Sequence, residues 1–119
     1  MTPNLLKIET KNGAHPGLRT IRLTGRLSLE TVAEFNQFTR AQSAPVIILD
    51  MSPLVYLDSA GVGALVQLQV RCAKGNQQLA LAGLTPRVHA VLQVANVLSL
   101  FRIFPSASEA EAAIAPASS

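Results

Sequence analysis

Apolar and polar positions fall into short segments whose period changes along the chain. Leu5 to Thr10 and Leu18 to Thr24 are β-prone stretches, and the segment between them, Lys-Asn-Gly-Ala-His-Pro-Gly, is dense in turn formers. Together they predict an antiparallel hairpin. After Gly25 the pattern changes: Ser28 can cap a helix running to about Gln42, in which Leu29, Val32, Phe35 and Phe38 recur every third residue. On an ideal helix each step of three turns the side chain back by about 60°, so these four positions sweep a half-circle instead of a narrow stripe.

Val46 to Met51, reading Val-Ile-Ile-Leu-Asp-Met, is nearly continuous in apolar residues, the pattern of a central strand covered on both faces. Helices to cover it are predicted over Ser59 to Lys74, ending before Gly75, over Pro86 to about Ala95 with Thr85 as cap, and from Ser106 onward. Ser106 and Glu109 have the spacing of a capping box, in which each can satisfy backbone donors left free by the first helical turn. Two further short strands are predicted at Gln78 to Ala82 and Leu100 to Phe104. The resulting order, β-β-α-β-α-β-α-β-α, implies an α/β sheet with mostly parallel neighbours. Residues 1–119 read as one domain without internal repeat, and Ala115 to Ser119 as a small-residue tail expected to fray.

Composition narrows the function classes. Hydrophobic residues make up 49% of the chain and charged residues 14%, below the roughly 25% charge of an average soluble domain, so a compact fold is expected and a disordered chain is not. The net charge is +3, but the ten basic residues are spread from Lys7 to Arg102 without a run, and the aromatics are only Phe35, Phe38, Tyr56, Phe101 and Phe104. Nucleic-acid binding would want clustered cations and stacking aromatics, and is not expected. Cys72 has no second cysteine to pair with and sits in an apolar helical pattern, as a small core hydrophobe does. No apolar run approaches the roughly 18 to 20 residues needed to cross a bilayer, and no signal-peptide layout opens the chain. A cytoplasmic protein without membrane insertion is the expectation.

The stretch from Leu49 to Gly63, Leu-Asp-Met-Ser-Pro-Leu-Val-Tyr-Leu-Asp-Ser-Ala-Gly-Val-Gly, reads as a buried strand, a loop and an abrupt helix start that exposes Ser59. A serine at a helix N-cap holds its hydroxyl near the free N–H groups of the first turn, where the helix dipole favours negative charge. Ala60, Gly61 and Gly63 carry almost no side chain, so another protein's surface could approach the backbone closely. Each glycine costs a helix interior roughly 1 kcal/mol relative to alanine, and two in one turn call for a packing or binding reason. On spacing alone the plainer account stays open: Ser59 an ordinary cap, Asp58 an ordinary loop carboxylate, the glycines merely letting the helix sit close to the sheet.

That string resembles the signature of the STAS domain of bacterial anti-sigma factor antagonists, in which a strand and a Leu-Asp-Leu-like end lead to Asp-Ser-Ser-Gly. Arg22-Leu23-Thr24-Gly25-Arg26-Leu27 is similar to the family's second strand and its Gly-x-Leu; Ala82-Gly83-Leu84-Thr85-Pro86-Arg87-Val88 and Leu100-Phe101-Arg102-Ile103-Phe104-Pro105 resemble its fourth strand, third helix start and last strand. The resemblance implies a STAS-type fold with an N-terminal hairpin, a mixed, mostly parallel sheet of about five strands and about four helices. It further implies that Ser59 is the phosphate acceptor of an anti-sigma factor that is also a serine kinase, and that the unphosphorylated protein binds this kinase and frees the sigma factor. Ser28, Asp58, Ser59, Ala60, Gly61, Val62 and Gly63 would then form the partner-binding surface. The chain departs from the pattern at Ala60, where the family has a second serine, and at Ser28, where it often has an acidic residue. Neither change removes the acceptor hydroxyl. Asp-Ser-Ala-Gly forms also resemble STAS subunits of transport ATPases and other signalling assemblies, so a constitutive docking subunit is the alternative.

An enzyme would need an activated group, and the candidates are His15, His89, Asp50, Asp58, Ser59 and Cys72. His15 lies in a turn, His89 in a helix, and Ser59 lacks the Gly-x-Ser-x-Gly elbow of an α/β hydrolase. One cysteine and two distant histidines give no metal-ligand cluster, and Gly61-Val62-Gly63 is too short to cradle phosphates. A non-enzymatic domain without cofactor or metal is the expectation.

Overall fold

The computed structural model describes residues 5–12 and 15–114. In chain order the elements are β1 (Leu6–Asn12), β2 (Leu18–Leu27), α1 (Val32–Arg40), β3 (Val46–Asp50), β4 (Leu54–Leu57), α2 (Ser59–Lys74), β5 (Gln78–Ala82), α3 (Pro86–Val94), a 3-10 turn (Leu98–Leu100), β6 (Arg102–Phe104) and α4 (Ala107–Ala113). The expected α/β architecture, hairpin and four helices are present. The expected tail from Ala115 lies outside the described residues, as do Gly13 and Ala14 of the hairpin turn.

The strands form one mixed sheet in the order β1-β2-β3-β5-β6, with β4 pairing β2 off this path. Among the described residues only the β1–β2 pairing is antiparallel. β2 is ten residues long, and it pairs β3 through Leu18 to Arg22 and β4 through Gly25 to Leu27. The register shifts between Gly25 and Arg26. Gly25 stands at φ +106°, and a Cβ there would collide with the Leu5 carbonyl oxygen, so only glycine fits where β2 changes partner.

Each strand of the central pair feeds two cores, because successive side chains leave opposite faces of a sheet. Ile47, Leu49, Leu79 and Leu81 face the larger core with Phe35 of α1, Leu65 and Leu68 of α2 and Val88 and Leu92 of α3. Val46, Ile48, Ala80 and Ala82 face the smaller core with Ala110 and Ile114 around α4. β3 is buried at every residue, as its unbroken apolar run requires.

Three boundaries differ from the expectation. β4 was not foreseen: its two middle residues, Val55 and Tyr56, are both exposed while Leu54 and Leu57 are buried, a pattern with no two-residue period to read. The helix expected from Ser28 begins at Val32. Residues 28 to 31 are wound into a turn instead, in which the Thr31 hydroxyl donates to the Arg26 carbonyl at 2.9 Å and accepts from the Ser28 N–H at 3.0 Å. Leu29, placed on the helix by its spacing, is therefore off it and 74% exposed. Finally, Leu100 belongs to the 3-10 turn, and β6 spans only three residues. The Thr85 and Ser106 caps form as expected, accepting from the Val88 and Glu109 N–H groups.

Candidate functional site

β4 delivers the chain to α2 across a single residue, Asp58. This residue, and not Ser59, is the N-cap, because its extended backbone lets the carboxylate fold back over the first turn. Oδ1 accepts from the Gly61 N–H at 2.9 Å, and Oδ2 accepts from the Leu29 N–H at 3.0 Å in the 28–31 turn. The Gly61 N–H is the main reason the Asp58 carboxyl is held below its ordinary value; slight desolvation opposes it, and the Leu29 and Ala60 N–H groups assist.

An ionised Asp58 stabilises the fold above its ordinary value of 3.8, and that contribution is lost as pH falls through the lower folded-state value. Asp58→Asn should therefore be less stable than wild type at pH 7, with the gap closing as urea midpoints are followed below about pH 4. A gap that stays constant down to pH 3 would show that the ionised carboxylate has no such role.

With Asp58 as cap, Ser59 becomes the first helical residue and its side chain is free of capping duty; it is exposed. The two glycines that follow have opposite surroundings. A Cβ on Gly61 would collide with the Leu27 carbonyl oxygen and come within 2.7 Å of Leu57 Cδ1, whereas one on Gly63 would meet nothing within 4 Å. Gly61 is the packing glycine, and Gly63 leaves a bare patch of helix backbone one turn from Ser59.

Beside Ser59 lies a cleft of about 410 Å³ lined by Ser59, Val62, Ala90, Val91, Val94 and Ala95, between the head of α2 and the second half of α3. The Ser59 hydroxyl is the one polar side-chain group in this lining. Val94 is 87% exposed. Neither α3 nor Leu29 was part of the surface foreseen from the sequence; an apolar residue late in a short helix looks the same whether it faces core or solvent.

Of the expected partner surface, the structure brings Asp58, Ser59, Ala60, Val62 and Gly63 together around the head of α2. Gly61 is turned inward, as described, and Ser28 must be corrected as well: it is 2% exposed, so it supports the turn and cannot touch a partner directly. Its Oγ is buried without a hydrogen-bond partner among the described residues. Ser28→Ala is therefore expected to raise stability by up to about 1 kcal/mol in chemical denaturation; a loss of that size would mean the hydroxyl is satisfied in solution.

The remaining candidate groups are scattered. Asp50 lies under the other face of the sheet, accepting from Arg22 Nε at 3.3 Å, Ser52 N at 3.1 Å and Ser52 Oγ at 2.8 Å. His15 and His89 are exposed. Cys72 is buried in the larger core, and burial pushes its thiol up, which suits an inert core residue. Among the described residues no cluster of three His, Cys, Asp or Glu could hold a metal, and no helix is long and apolar enough to cross a membrane.

Comparison with known proteins bears on the family and the fold. The family model of the STAS domain matches residues 8–110. A STAS-domain-containing protein of Pseudomonas aeruginosa is 30% identical over 86 residues, covering 71% of this chain and 85% of its own. Among solved structures, an anti-sigma factor antagonist from Mycobacterium paratuberculosis superposes with a TM-score of 0.82 at 18% identity, over 95% of this chain and 97% of its own. The phosphorylated form of the Bacillus cell fate determinant SpoIIAA gives 0.71 at 19% identity, over 92% and 100%. A sulfate transporter family protein from Wolinella succinogenes gives 0.75 at 22% identity, over 84% and 87%. At these identities the structural likenesses speak for the fold, while the family model and the Pseudomonas relative speak for descent. By its sequence match across residues 8–110 and its fold, the chain belongs to the STAS domain family.

Proposed function

We propose that this protein is an anti-sigma factor antagonist: a binding domain, not an enzyme, whose partner is an anti-sigma factor with serine kinase activity. With Ser59 unphosphorylated it docks on the kinase and releases the sigma factor; with Ser59 phosphorylated it lets go. The observation that carries this reading is the setting of Ser59, an exposed hydroxyl on the first residue of α2, beside bare Gly63 and at the edge of an apolar cleft. SpoIIAA, with the same fold, is known in a phosphorylated form.

In the phosphoryl transfer, Ser59 Oγ bonds to the γ-phosphorus of a nucleoside triphosphate as the bond to the β-phosphate oxygen breaks. The nucleoside diphosphate leaves, and the hydroxyl proton passes to a base on the kinase. The added charge of about −1.5 to −2 then stands next to ionised Asp58.

Intact mass tests the reading. After incubation with ATP and its host's soluble extract, the wild-type protein should gain one phosphate and Ser59→Ala none. Absence of phosphate on both would favour a constitutive docking subunit, in which the same α2 face binds permanently and Ser59 is never modified.

A further inference from the structure

The Asp58 carboxylate does more than cap a helix. Its two oxygens take donors from two separate elements, Gly61 at the head of α2 and Leu29, 29 residues before Asp58, in the turn after β2. Thr31 closes the turn on itself through the Ser28 N–H and ties its inner end to β2 through the Arg26 carbonyl. The Leu29 N–H is where the outer part of the turn is held to the head of α2. The Leu29 side chain, 74% exposed, contributes little to holding it.

We propose that Asp58 is the positioning residue of the switch: it locks the 28–31 turn to the head of α2, so that Leu29 and Ser59 meet a partner as one surface, and a phosphoryl group on Ser59 loosens this lock. The inference rests on the phosphorylation reading above for its use, but not for its test. A dianion on the first residue of α2 competes for the same first-turn N–H groups that Asp58 employs. It also repels the carboxylate that holds the turn. Phosphorylation thereby changes an apolar contact point as well as the local charge.

Asparagine separates the two bonds. Its carboxamide has one acceptor oxygen and one NH2 donor, so Asp58→Asn can keep the Gly61 bond, as a good N-cap, while presenting a donor or nothing to the Leu29 N–H. The test is amide hydrogen exchange by NMR, comparing Leu29 with Gly61 in wild type, in Asp58→Asn and in a chain made with phosphoserine at position 59. Leu29 exchange should rise at least about tenfold relative to Gly61 in Asp58→Asn, the loss expected for a bond to a charged acceptor, and about threefold or more in the phosphoserine chain. Leu29 and Gly61 rising together in Asp58→Asn would reduce Asp58 to a helix cap. Leu29 unchanged in the phosphoserine chain would overturn the coupling, whether or not a kinase for Ser59 exists.

Discussion

Gly61→Ala is expected to destabilise the fold by about 3 kcal/mol, and Gly63→Ala, two residues on, to leave it unchanged or up to about 1 kcal/mol more stable. Both substitutions add one methyl group to the first turns of the same helix, and helix propensity favours alanine at each. What differs is the surroundings. The Gly61 methyl would strike the backbone oxygen of Leu27, which β2 holds against β4 and which accepts from the Asp58 N–H, as well as Leu57 Cδ1. A carbonyl held in a sheet cannot rotate away, so α2 must lift off the sheet and give up packing by Val62 and Leu65. The Gly63 methyl enters open space. For a chain of this size the Gly61 effect corresponds to a fall in Tm on the order of 10 to 15 °C. Equal midpoints for the two variants would show that α2 is not seated against Leu27.

A chain carrying phosphoserine at position 59 is expected to bind its kinase partner about 30- to 1000-fold more weakly than the unmodified protein, equivalent to about 2 to 4 kcal/mol. The cleft that Ser59 borders is lined otherwise by valine and alanine, with no cation among its lining residues to receive a phosphate. Docking a partner there would bury the new charge without compensation and next to Asp58. Ser59→Asp, with a smaller charge closer to the backbone, should fall between the two. The measurement is calorimetric titration against the kinase that phosphorylates Ser59. Affinity unchanged by phosphoserine would move the partner interface away from the head of α2 and end the switch reading. Gly63→Ala supplies the complementary arm: it should weaken the same binding without weakening the fold, because the space its methyl fills is space kept open on the surface.

Much of the fold was legible because it is written in local pattern. The run Val46 to Asp50 announces a strand buried on both faces, and it is buried throughout. Thr85, Ser106 and Gly75 mark helix ends by chemistry that acts within three residues, and those ends stand where the pattern put them. The site was legible in the same way as far as the motif reached: Asp58, Ser59 and Gly63 are at the head of a helix, and Ser59 is exposed.

Assignments that depend on a partner distant in sequence went differently. Whether Asp58 or Ser59 caps α2 turns on which side chain can fold over the first turn, and Asp58 is drawn there partly by the Leu29 N–H, 29 residues earlier. Ser28 has the local pattern of a cap and partner contact, yet it is a buried support because Thr31 winds its turn back onto Arg26. Two glycines in one turn look alike in sequence, and only the path of β2 beneath Gly61 makes one essential to packing and leaves the other bare. The sequence by itself determined the elements other than β4, their order and the exposed hydroxyl, since hydrophobic period and capping act over one or two turns. The tertiary structure alone decided which small residues face inward, that α3 completes an apolar cleft beside Ser59, and that one carboxylate joins two elements, because each of these is a contact between segments the chain brings together only on folding.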